Sequence, residues 1–132
     1  MLQIIYASRP TRYDAQVLQD IKAAVHQNCK DAGITGALIS RDDLFVHLLE
    51  GSEHAVNATY ARMKADPNNS EMRLLARKSG KDDARLFTEW SIVEDPEQSW
   101  IWSREDVARG AVEQAGASDA VWLFERLASL TT

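Results

Sequence analysis

The chain has 132 residues, 45% hydrophobic and 27% charged, enough for one domain whose core needs no staples. A formal net charge of −5 disfavours a nucleic-acid partner, which needs a basic face, and a single cysteine, Cys29, excludes an internal disulfide. The start MLQIIYASRP is too short and too soon polar for a signal peptide, and no run reaches the about 18 apolar residues of a membrane span, so a cytoplasmic protein without a membrane partner is expected.

Leu2 to Tyr6 is apolar on both faces, which predicts a central strand stopped by Ser8-Arg9-Pro10. Asp14 can cap a helix in which Val17, Leu18, Ile21, Ala24 and Val25 recur at helical spacing, with Gly33 as its stop after Ala32. Ile34–Ser40 and Leu44–Leu49 flank the turn Arg41-Asp42-Asp43 and read as a hairpin. Glu53–Ala65 is a second helix with Ala55, Val56, Tyr60 and Met63 near one face, ended by Asp66-Pro67-Asn68-Asn69. Glu71–Arg77 alternates weakly, Ser79–Asp83 is a polar loop, and Leu86–Val93 is the last strand. This order predicts an α/β (α+β) ferredoxin-like βαββαββ sandwich over residues 1–95. Residues 96–132 form a helical extension: Ser103 opens one helix that runs to about Gln114, Gly116 breaks it, and Ser118 opens an amphipathic helix carrying Val121, Leu123, Phe124, Leu127 and Leu130. That extension packs on the sheet or on a partner.

Several short motifs stand in a telling order: Tyr6-x-Ser8, Gly33-Ile34-Thr35-Gly36, Leu48-Leu49-Glu50-Gly51, then Arg85, Phe87 and Trp90-Ser91. Their order and spacing resemble the BLUF family, the flavin-using blue-light sensors, over residues 1 to about 93. The resemblance implies FAD as cofactor, its ring lying between the two main helices beside Ile21 and Asn28. In the family a Tyr on the first strand and a Gln on the third form a hydrogen-bonded relay to the ring. Light drives an electron and a proton from the Tyr, the Gln rearranges, and a Trp or Met on the last strand is implicated in the response. By that resemblance Tyr6 is the electron donor and Trp90 the retained last-strand Trp.

Four family positions are altered. The Gln position, two residues before Leu49, holds His47. The Asn that bonds the ring's polar edge falls, five residues before Ile34, on Cys29; Asn28 is one residue earlier, rotated by about 100° on a helix. The Arg of the family's Asp-x-Arg-His turn is Asn68, and Trp-Ser-Met reads Trp90-Ser91-Ile92. Scaffold positions survive while cofactor-facing ones change, the distribution expected of a fold kept for an altered function.

Each residue also has a plainer reading. Tyr6 suits a buried core tyrosine, Cys29 a small apolar packer, and Arg62, Lys64, Arg73, Arg77 and Lys78 a solvated face. A neutral His47 donates at one nitrogen and accepts at the other as a Gln amide does, and its ordinary titration near pH 6.5 would provide a different switch. His26, Cys29, His47 and His54 lack the close spacing of zinc ligands. Trp100, Trp102 and Trp122 either cap the sheet's open face or form an interaction surface. Two functions follow: a BLUF-type sensory domain using FAD through an altered relay, or a flavin-free protein–protein interaction module on the same fold. An acylphosphatase-type enzyme is disfavoured, because the loop Ser8-Arg9-Pro10-Thr11-Arg12 has no glycine to cradle phosphate, and no catalytic or metal-binding residue is assigned. Output is expected through a separate downstream protein or through self-assembly as a homo-oligomer.

Overall fold

A computed structural model describes residues 1–41, 43–65, 69–81, 85–94, 102–112 and 114–131; along 24–31, 69–70, 104 and 130–131 it describes the backbone alone. The elements follow in the order β1 (Leu2–Pro10), α1 (Ala15–Ala32), β2 (Thr35–Arg41), β3 (Leu44–Gly51), α2 (Glu53–Ala65), β4 (Asn69–Ser79), β5 (Trp90–Glu94), α3 (Arg104–Ala108) and α4 (Ala117–Thr131). The strands form one sheet in the order β4-β1-β3-β2-β5, antiparallel except where β5 joins β2. This is the expected ferredoxin-like arrangement with an added strand.

Alternation along each strand divides the core into two layers, because successive side chains point to opposite faces. On one face Leu2, Ile4, Tyr6 and Leu49 pack with Val56 of α2, and Ile21, Tyr60 and Met63 lie against them. On the other, Ile5, Ala7, Ala37, Ile39, Val46 and Leu48 share a cluster with Trp102, Val107, Leu123, Phe124 and Leu127. Helices therefore cover both sides of the sheet, and α4 lays its apolar stripe on the face opposite α1 and α2.

The helix starts follow from their caps. The Asp14 carboxylate accepts the Val17 N–H at 2.8 Å, the Ser52 hydroxyl accepts that of Ala55 at 3.2 Å, and Ser103 and Asp106 form a reciprocal capping box. Gly33 ends α1 at φ 71°, as expected of a helix-stopping glycine.

Four boundaries differ from expectation. β1 runs on through Ser8-Arg9 to Pro10, since pairing with β3 and β4 holds it on both edges and a proline at the strand's last position interrupts little. β4 is longer than its weak alternation suggests and carries two register shifts; the one between Ile5 and Tyr6 makes Leu75 the extra residue, and Leu75 is buried while Leu74 is exposed. β5 begins only at Trp90, because the N–H groups of Leu86 and Phe87 are taken by a side chain instead of a neighbouring strand. α3 stops at Ala108 rather than near Gln114: Gly110, at φ 88°, turns the chain while Ala111 bonds back to the Asp106 carbonyl.

Two arginines attach the C-terminal segment. Arg41, almost fully buried, pairs with Asp43 and donates to the Trp102 carbonyl at 3.3 Å. Arg9 donates to the Val107 carbonyl at 3.2 Å and pairs with Glu71 on β4, also at 3.2 Å.

Candidate functional site

The sheet face beneath α1 and α2 carries Tyr6, His47 and Trp90 of the residues singled out in the sequence. Tyr6 on β1 and His47 on β3 are direct cross-strand partners, both essentially inaccessible. Their rings stack with centroids 4.5 Å apart and planes 8° from parallel. Tyr60 of α2 meets Tyr6 edge-on at 5.0 Å, and Phe45 meets His47 edge-on at 6.1 Å. The imidazole is thus enclosed by aromatic rings, and Ile21 of α1 packs against the clusters on either side of it.

Burial pushes the His47 pKa down to about 3, since a charged imidazole cannot be solvated there. The ring is neutral at any physiological pH. Protonation near pH 6.5 is therefore not the switch that its ordinary titration suggested. Neither of its nitrogens has a hydrogen-bond partner among the described residues, and the face-to-face stack does not link it to Tyr6 by a hydrogen bond. The Thr59 hydroxyl, the Trp90 indole N–H and the Ser40 hydroxyl are likewise buried without partners among the described residues. Unsatisfied buried polar atoms are rare in folded proteins, and each costs about 1–3 kcal/mol. Thr59 stands on the same stripe of α2 as Val56, Tyr60 and Met63, Trp90 packs on the α1/α2 side of the sheet, and Ser40 shares that side with Leu38 by alternation.

The frame around this face is built by Glu50 and two glycines. Glu50 is fully buried and its carboxylate is saturated: it accepts from Gln3 Nε2 at 2.7 Å, Thr35 Oγ1 at 3.0 Å, and the N–H groups of Leu86 at 2.7 Å and Phe87 at 3.0 Å. Arg85 donates to the Gly33 and Glu50 carbonyls and to Thr35 Oγ1. The Thr35, Glu50, Arg85 and Phe87 motif positions are therefore one hydrogen-bonded clasp that fixes the approach to Trp90. Gly36 lies beside Trp90 at φ 145°, and a Cβ there would come within 2.0 Å of the Leu48 carbonyl oxygen.

Of the residues proposed from the resemblance, Tyr6, His47, Trp90 and Ile21 lie on this one face. Asn28 and Cys29 lie on α1, with their side chains outside the described residues, and Asn68 lies outside them altogether. Thr59 and Ser40 were not anticipated as site residues; a Thr among Val56, Tyr60 and Met63 was the available signal. The tryptophans divide: Trp102 is in the core of the opposite face, Trp122 is 48% exposed beneath the Arg126 guanidinium, and Trp100 is outside the described residues. Among the described residues, no helix is long and apolar enough to cross a membrane, and no three His, Cys, Asp or Glu side chains gather as a metal site would require.

The model of a family described as sensors of blue light using FAD matches residues 1–93. A photoactivated adenylate cyclase subunit alpha of Euglena gracilis is 23% identical over 92 residues, 70% of this chain but only 9% of that protein. Among solved structures, the dark state of the BLUF protein BlrB superposes with a TM-score of 0.72 at 23% identity, covering 97% of this chain and 95% of that one. A bacterial light-regulated adenylyl cyclase superposes with a TM-score of 0.69 at 21% identity, over 86% of this chain and 34% of that chain.

Proposed function

The chain belongs to the BLUF family, and on that premise we propose that it is a sensory domain that holds FAD over the sheet face between α1 and α2, with His47 in the place of the family's switching Gln. The observation that supports this reading is the pair of His47 nitrogens without partners among the described residues, buried against Tyr6 where the resemblance puts the relay. Unsatisfied polar atoms on an otherwise apolar face suit a planar ligand with a polar rim, so the residues present fit the group. When bound, FAD would supply the absorption of blue light.

The chain's own residues divide the remaining work. Tyr6 offers an oxidisable ring, and Ile21 and Trp90 an apolar bed. Neutral His47 can donate at one nitrogen and accept at the other, and moving its proton between them would exchange those roles. That exchange replaces the rotation of an amide, which an imidazole does not have. Asn28, Cys29 and Asn68 stand at the positions that would meet the ring's edge and the cofactor's tail. The response would pass to an effector, as a downstream protein or another domain, or act through self-assembly.

The test is an absorption spectrum of protein produced with FAD supplied, before and after blue light. A bound flavin band that shifts to the red on illumination, and no longer shifts in H47L, supports the proposal. A band that never shifts would mean binding without switching. A colourless protein would favour a second reading, a flavin-free interaction module, for which the close packing of Tyr6 on His47 is the motivating observation.

A further inference from the structure

We propose that Thr59 of α2 is a ligand-holding residue, its hydroxyl bonding the polar rim of the same planar heteroaromatic that His47 addresses from the sheet. This rests on the FAD reading above and extends it to a position outside the residues that the family resemblance marks.

Thr59 is 3% exposed and its Oγ1 has no hydrogen-bond partner among the described residues. A threonine within a helix usually relieves its hydroxyl on the carbonyl one turn back, here that of Ala55, and Thr59 does not. Valine would fill the same volume among Val56, Tyr60 and Met63 with no polar atom to satisfy. An unbonded hydroxyl at this place lowers stability, a loss that a bound ligand would offset. Its place on α2 is next to Tyr60, whose ring reaches the Tyr6 ring of the Tyr6–His47 stack.

The groups on this face are chemically distinct. The indole of Trp90 only donates, neutral His47 donates and accepts, and the Thr59 hydroxyl does either. Together they suit a fused heteroaromatic whose rim alternates carbonyl oxygens with ring nitrogens. A hydrocarbon, or a rim of donors alone, would leave some of them unsatisfied.

FAD titrations of the wild-type chain, T59V and T59S, with thermal melting of each in the absence of FAD, test the proposal. T59V is expected to weaken FAD binding about tenfold, with flavin-free melting no lower than wild type, while T59S, which keeps the hydroxyl, stays within about threefold. Equal binding by T59V and wild type would overturn the proposal and leave the FAD reading standing; the hydroxyl would then be met by buried water. Weakening by T59S as large as by T59V would also overturn it, since a change that keeps the hydroxyl would then matter as much as one that removes it. A wild type that takes up no FAD would overturn both readings.

Discussion

Glu50 and Phe87 are joined by a hydrogen bond from the Phe87 backbone N–H to the Glu50 Oε1 at 3.0 Å, with the Leu86 N–H on the other oxygen at 2.7 Å. A side chain at the end of β3 thus stands in for a neighbouring strand just ahead of β5. In E50Q one carboxylate oxygen becomes an NH2 that faces a donor, so at least one backbone N–H loses its acceptor. The expected cost is about 2–3 kcal/mol in urea unfolding. A variant within about 0.5 kcal/mol of wild type would show that water replaces the lost acceptor.

His47 links stability to pH. Its pKa is lowered to about 3 in the fold and stands near 6.5 when unfolded, so between those values only the unfolded chain takes up a proton. Flavin-free protein should lose stability as pH falls from 6.5 towards 3, by up to about 1.4 kcal/mol per pH unit from this residue. Other groups titrate in the same range, so the measurement is the difference between wild type and H47Q. That difference should change with pH in this window and be flat above pH 7.5 or so. A pH-independent difference would mean that the folded imidazole is protonated.

Gly33 and Gly36 both have positive φ but should respond unequally to alanine. At Gly33 (φ 71°) nothing lies within 4 Å of an added Cβ, so G33A should cost only its backbone strain, about 1 kcal/mol. At Gly36 (φ 145°) the Cβ would collide with the Leu48 backbone, and β3 is held on both sides by β1 and β2. G36A should cost more than about 3 kcal/mol or prevent folding. Similar melting temperatures for the two variants would contradict this.

The two described tryptophans of the C-terminal segment give a further contrast. Trp102 is buried beneath the sheet and its carbonyl is held by Arg41, so W102A should cost about 3–5 kcal/mol. Trp122 is exposed on α4, and W122A should change monomer stability by under about 0.5 kcal/mol. Chemical denaturation of both at equal protein concentration checks the contrast.

Much of this was legible in the sequence for local reasons. The α2 bounds Glu53–Ala65 appear as expected, since Ser52 caps one end and Pro67 follows the other in the sequence. The hairpin and the central place of β1 follow from apolar patterning. What was not legible depends on contacts between distant residues. β5 starts late because of Glu50, which lies more than thirty residues upstream. The titration of His47 is set by the rings around it, which no local pattern reveals. Thr59 has the sequence context of an ordinary helical residue; only its burial, with no partner for its hydroxyl among the described residues, sets it apart.

The irregular pairing of β4 has a consequence for solubility. A long outer strand is a template on which further chains can add, as in amyloid growth. Here β4 departs twice from regular register, carries Glu71 at φ 50°, and displays Arg73, Arg77 and Lys78. Arg9 and Arg77 tie it to α3 and α2 by way of Val107 and Asn57. At the opposite border β5 offers only five residues. Neither border is a long, regular rail among the described residues, which disfavours growth of the sheet from one molecule to the next.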